Sequence, residues 1–317
     1  MGGVGSERVL LENDRVRVTI DVRHGTEITE FLIRDRALDL VAPGPSGPRK
    51  PSRDPDLAFV DGYHGGWQEV FPNGGAPSTS EGVRFGQHDE VWRLEWTVEE
   101  RTEIGAVLTV ETRLLPFRLR KEVRLVPGAA RLEVREATIA TGDRPHHAMW
   151  GQHLAYGRPF LVPGARLTLP DGVEVRPHPE PINPPHRLVD PAPGRYPILR
   201  TPDGAPFDLR RLPEAGEPSD ILYAGPFADP AWYEVARPDG CAVRVEWGAR
   251  TLPYLWLWYE LGATVGAPWY GTLFAIGCEP NSSWPTDGLA EAVRNGTALR
   301  LDPGQTIHSW HTVEVRP

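Results

Sequence analysis

Val16-Arg17-Val18-Thr19-Ile20-Asp21-Val22 alternates apolar and polar residues without a break. A period of two places the four apolar side chains on one face and the polar ones on the other, as in a half-buried β-strand. Trp92, Leu94, Trp96 and Val98 repeat the pattern, and so do Phe117, Leu119, Lys121, Val123 and Leu125. The lysine in the last set is expected at a sheet edge. Further strand-like runs lie at 27–34, 106–115, 130–140, 243–247, 255–259, 271–278 and 306–315, separated by Gly, Pro and Asn/Asp clusters. One helix is expected at 286–295, capped by Thr286 or Asp287, with Leu289, Ala290 and Val293 on one face and Gly296 after its end. No βαβ alternation is visible, so the fold class is all-β, a large antiparallel β-sandwich with few short helices.

The chain has 317 residues, which a single all-β unit accommodates, and residues 1–317 are read as one domain. Gly 33 and Pro 34 make up about a fifth of it, which points to many loops but stays below low-complexity usage. Prolines concentrate in two places, Pro43–Pro55 and a longer excursion within about 158–230 that holds 17 of the 34. Proline supplies no amide hydrogen to a ladder, so this excursion is expected to be loop or sheet edge.

Composition narrows the function classes. Lys+Arg 34 against Asp+Glu 43 gives a net charge of −9, which disfavours nucleic acid and anionic membranes as partners. The two cysteines, Cys241 and Cys278, make neither a disulfide framework nor a four-ligand zinc site. The start resembles no signal peptide, and no apolar run approaches the ~18 residues of a membrane span, so a cytoplasmic protein is expected.

Four clusters set catalytic residue types among glycines and aromatics at presumed strand ends. They are Gly65-Gly-Trp-Gln-Glu-Val-Phe-Pro-Asn-Gly-Gly75, Phe85-Gly-Gln-His-Asp-Glu-Val-Trp92, Trp150-Gly-Gln-His-Leu-Ala-Tyr-Gly157 and Cys278-Glu-Pro-Asn-Ser-Ser-Trp284. Taken singly, each also reads as a turn on a core aromatic. Together and in order, with Glu12-Asn-Asp-Arg-Val-Arg-Val-Thr-Ile20 before them and Leu301-Asp-Pro-Gly304 after, they resemble the aldose 1-epimerase (galactose mutarotase)-like family.

The resemblance implies a galactose mutarotase-like supersandwich that interconverts the anomers of a sugar without a cofactor. Glu279 matches the family's general base and His153 its general acid. His88 matches a substrate-binding histidine, and Trp67, Gln68, Glu69, Asn73 and Trp150 fall in its substrate-binding segments. The chain departs from the common motifs: Asp89 follows His88 where glycine is usual, and the arginine expected in the Gly65–Gly75 loop is absent. Each residue has a structural alternative. His153 and His88 also suit a packed core, Asn73 a plain turn, and Glu260 either the pocket or an edge strand.

Of the tryptophans near the clusters (Trp67, Trp92, Trp150, Trp258 and Trp284), at most two are expected to touch a sugar. Histidines at 146, 147 and 153, or at 64 and 88, raise the question of zinc. Neighbouring residues on a strand point to opposite faces, and no metal site is read. The expected partner is a small sugar, bound by a monomer or homodimer. The alternatives are a non-catalytic carbohydrate-binding protein, or a lyase or hydrolase, on the same scaffold.

Overall fold

In the computed structural model, which describes residues 8–46, 56 and 58–316, the alternation at Val16 becomes the strand Val16–Asp21 with every second residue buried. It pairs antiparallel with Arg8–Glu12 and Glu27–Ile33, opening a 13-stranded sheet. The sheet continues through Trp67–Val70, Gly151–Gly157, Phe274–Asn281, Tyr254–Leu261 and Asp220–Ala224. An eight-stranded sheet runs from Arg166–Thr168 through Ala231–Ala236, Ala242–Trp247, Thr306–Arg316, Arg131–Ala140, Phe117–Leu125 and Gly105–Glu111 to Thr97–Arg101. Every pairing between these strands is antiparallel, and one hydrophobic cluster reaching from Val9 to Val313 fills the space between the sheets. This is the expected all-β sandwich.

Several local expectations change. Lys121 is not at an edge: its strand lies between Gly105–Glu111 and Arg131–Ala140, and its side chain turns inward. There its ammonium bridges Glu69 of the opposite sheet at 2.5 Å and Glu136 of its own at 3.1 Å. Trp92, Leu94 and Trp96 are buried, but on a 3₁₀ turn at Val91–Arg93 and the segment after it, and Thr97–Arg101 is exposed throughout. An alternating trace thus arose from a turn whose aromatics happen to point inward.

The late helix is Leu289–Arg294 and buries Leu289 and Ala292 rather than Ala290 and Val293. Neither Thr286 nor Asp287 caps it. Asn73 Oδ1 accepts the Leu289 amide at 2.7 Å and Ser78 Oγ accepts that of Ala290 at 2.9 Å, so a distant loop satisfies the helix start. A second short helix, Ala58–Gly62, had no clear sequence signal.

The proline-rich excursion supplies the expected sheet edge, apart from Asp220–Ala224, which lies further in, between Glu174–Pro177 and Tyr254–Leu261. The strands Glu174–Pro177, Gly194–Arg195, Ile198–Arg200 and Pro206–Asp208 form one edge of the large sheet, where missing amides do least harm. Residues 47–55 of the earlier proline-rich stretch lie outside the described residues.

Candidate active site

The middle of the large sheet brings His153 and Glu279 together. Their strands, Gly151–Gly157 and Phe274–Asn281, are neighbours, and the pairings Gly151 with Asn281 and Ala155 with Gly277 bracket the two residues. His153 Nε2 lies 3.6 Å from Glu279 Oε1. Gly277 makes room for this arrangement, because a Cβ there would stand 2.2 Å from the same carboxylate oxygen.

Both side chains line a cavity of about 360 Å³, a size suited to a small ligand. Phe59 and Tyr63, from the Ala58–Gly62 helix and just after it, stand 5.8 and 5.7 Å from the His153 ring, with Trp258 at 5.6 Å. Trp256 and Trp269 extend the aromatic wall. Indole faces of this kind stack on the C–H faces of a ring, and their N–H groups bond hydroxyls.

His88 joins the site with its ring 5.8 Å from that of His153. Its backbone is left-handed (φ 55), and its Nδ1 accepts the Gly75 amide at 3.1 Å, so its Nε2 carries the proton. Gly75 is itself left-handed (φ 80), where a side chain would strike the Thr286 carbonyl. Asp89, the departure from the usual glycine, accepts the Gly86 amide and pairs with Arg93, which fastens the loop that presents His88.

Burial dominates the electrostatics. It lowers His153 to about 4 and pushes Glu279 well above the usual carboxylate range. Burial, helped by nearby His153, also holds His88 well below the ordinary histidine value. Both shifts favour the uncharged forms, a protonated Glu279 carboxyl beside a neutral His153 imidazole. His153 Nδ1 is buried without a hydrogen-bond partner among the described residues.

Glu260 also lines the cavity. It belongs to Tyr254–Leu261, a central strand, so the edge reading does not hold. Its Oε2 accepts hydrogen bonds from Ser219 at 2.7 Å and Thr264 at 2.5 Å. The proline-rich excursion adds His178 and Asn183 to the wall, with His178 Nδ1 2.8 Å from the Tyr223 hydroxyl. Among the described residues, Glu260, Glu279 and Asp287 line the cavity and no lysine or arginine does.

The other expected contacts are not brought to this cavity. Trp67 donates its indole N–H to the Ala155 carbonyl and packs on Phe31 and Tyr156. Trp150 donates to Glu69 Oε1, and Glu69 is committed to Lys121 between the sheets. Gln68 donates to Glu27 Oε1 and the Gly65 carbonyl. Asn73 donates to the Ala76 and Gly86 carbonyls and receives the Leu289 amide, which makes it a loop clamp. None of the five lines this cavity, and their hydrogen bonds go to the scaffold, except that Gln68 Oε1 is buried without a partner among the described residues.

His146 and His147 do not behave as opposed neighbours either. Both Nδ1 atoms reach the carboxylate of Glu81, one on each oxygen, at 2.5 and 3.0 Å. His64 lies against His24 and Glu27, in a group apart from His88.

No protein-family profile and no curated protein matches the sequence. Solved structures do match in shape. A protein from Klebsiella pneumoniae subsp. pneumoniae MGH 78578, provisionally named an aldose 1-epimerase, superposes with a TM-score of 0.72 at 16% identity, over 96% of this chain and 77% of that one. One from Escherichia coli K12, with the same provisional name, gives 0.69 at 15% identity over 98% of both chains. A galactose mutarotase-like protein from Lactobacillus casei ATCC 334 gives 0.67 at 15% identity over 98% of this chain and 100% of that one. The chain has the galactose mutarotase-like fold. Among its described residues, no helix is long and apolar enough to cross a membrane.

Proposed function

We propose that the protein is a mutarotase-like isomerase that interconverts the anomers of a neutral, unphosphorylated aldose. The observation that carries this reading is the buried His153–Glu279 pair, 3.6 Å apart on one wall of a small aromatic cavity. Anomer exchange needs one proton removed from the O1 hydroxyl and one delivered to the ring oxygen. Two groups that share a proton and sit within reach of adjacent oxygens supply both.

Starting from the neutral pair, Glu279 protonates the ring oxygen while His153 takes the O1 proton. The C1–O5 bond breaks and C1 becomes a carbonyl. After rotation about C1–C2, the carboxylate withdraws the proton from O5 as that oxygen attacks C1. The imidazolium then returns its proton to the new hydroxyl, so protons and electrons balance. Family resemblance assigns the starting roles the other way round, with Glu279 as base. Burial favours the form described here, and the cycle passes through both. His88 and Glu260 supply hydrogen bonds to ring hydroxyls, and the tryptophans supply a stacking face. Among the described residues, three carboxyl groups and no lysine or arginine line the wall, which makes it a poor host for a phosphate.

Polarimetry on freshly dissolved aldoses tests the proposal. Faster mutarotation of at least one sugar supports it. Binding without acceleration across the panel would leave a carbohydrate-binding protein.

A further inference from the structure

A second cavity of about 740 Å³ shares no lining residue with the first, and the proposed reaction makes no use of it. At its wall stand His24, Glu27 and His64. We propose that these three residues form a binding site for a divalent transition-metal ion of the zinc type, with one coordination position open to that cavity.

The backbone places the carboxylate deliberately. Gly25 (φ 65) and Thr26 (φ 60) make a left-handed turn, and a Cβ at Gly25 would stand 2.2 Å from the Trp92 backbone. This turn delivers Glu27 as the first residue of the strand Glu27–Ile33, with 2% of its surface exposed. Glu27 Oε1 accepts the Gln68 side-chain amide at 2.8 Å, which fixes the plane of the carboxylate. Oε2 is left facing two imidazoles, with His24 Nδ1 at 2.8 Å and His64 Nδ1 at 3.6 Å. The two rings meet edge to face at 4.8 Å, and one ligand atom from each residue lies within 4.8 Å of the others.

Two nitrogens and one carboxylate oxygen are a ligand set for zinc and its neighbours in the transition series. Metal–ligand bonds of ~2.0–2.2 Å require only a small opening of these side chains to seat an ion between them. Three protein ligands plus an open position is also how zinc is held where it meets a small molecule. Gln68 then acts as the outer partner that orients a ligand. Two imidazoles directed at a single buried oxygen otherwise need a proton on each. A divalent ion replaces those protons and satisfies the same three atoms at once.

The test is titration of the chelator-treated full chain with Co²⁺, followed by displacement with Zn²⁺. The expected result is one equivalent bound, with a visible Co²⁺ absorption band that Zn²⁺ removes. His64 is 58% exposed at its side chain, so His64→Ala folds normally and should weaken Zn²⁺ binding by more than about 100-fold. Glu27→Gln should do the same. Failure to bind one equivalent at micromolar metal would overturn the proposal. So would binding that survives both His24→Ala and His64→Ala, or that His147→Ala abolishes, since the last would place the ion on the Glu81 pair.

Discussion

His153 Nε2 and Glu279 Oε1 face each other at 3.6 Å across two neighbouring central strands, and both side chains are buried. Both side chains keep only a few per cent of their surface exposed, at the wall of the cavity, so burial dominates their protonation. Glu279→Gln preserves the shape but cannot exchange that proton. Anomer exchange should fall by about 10²–10⁴-fold, with sugar affinity nearly unchanged by calorimetry. Equal loss of binding and rate would assign Glu279 to binding alone.

Gly277→Ala tests the placement of the same carboxylate without touching its chemistry. The added methyl occupies the position of Oε1, so Glu279 must swing away from His153. We expect kcat to drop while the thermal midpoint shifts little. A variant as active as the parent would show that the observed carboxylate position is not the working one.

The pH profile follows from burial. A second proton enters the pair as His153 titrates at about 4, and the shared proton leaves only when Glu279, pushed well above the usual carboxylate range, ionises. kcat/KM should be flat between these limits, which belong to the pair and not to either residue alone. An alkaline fall centred on an ordinary histidine near pH 6.5 would instead point to a charged resting pair.

Stability should carry the same signature. Burial holds His153 at about 4 and His311 at about 3, below the ordinary 6.5. Between those values and 6.5 the unfolded chain binds more protons than the folded one, so their contribution is complete above pH 6.5 and is lost on acidification. Glu279 acts oppositely: its raised value favours the fold below pH 4.5, and that contribution is lost as pH rises. Urea unfolding at pH 7 and pH 5 should show a smaller difference for His153→Asn than for the parent. An unchanged difference would mean that His153 does not titrate as its burial implies.

Much of this was legible in the sequence. Alternation at Val16–Asp21 and Phe117–Leu125 located strands because one face of each meets the core and the other does not. His153 and Glu279 are legible through the family resemblance of their clusters, where catalytic residue types sit among glycines and aromatics. Glu69 and Trp150 carry that same signature and serve the scaffold instead. In Trp67–Val70 and Gly151–Gly157 every residue is buried, so alternation gives no sign of which face meets the core and which meets the cavity. Tyr63, His178 and Asn183 reach the site through a short helix and a proline-rich edge, and contacts so distant in sequence leave no periodic trace.

Lys121→Met separates scaffold from site. Burial disfavours the Lys121 charge, but Glu69 and Glu136 outweigh it and hold the ammonium above its ordinary range. Removing it leaves two buried carboxyl groups facing each other, and the cost should be about 3–5 kcal/mol in denaturant unfolding. A loss below about 1 kcal/mol would mean the two carboxyls already share a proton between them.

The most direct measurement is NMR exchange between the α and β anomers of an aldose at neutral pH, with equal amounts of the parent protein and of Glu279→Gln. Faster exchange with the parent, reduced by about 10²–10⁴-fold in the variant, is the predicted result. Exchange no faster than in buffer for every aldose tested, or equal acceleration by both proteins, would contradict the assignment of Glu279 and His153 to anomer interconversion.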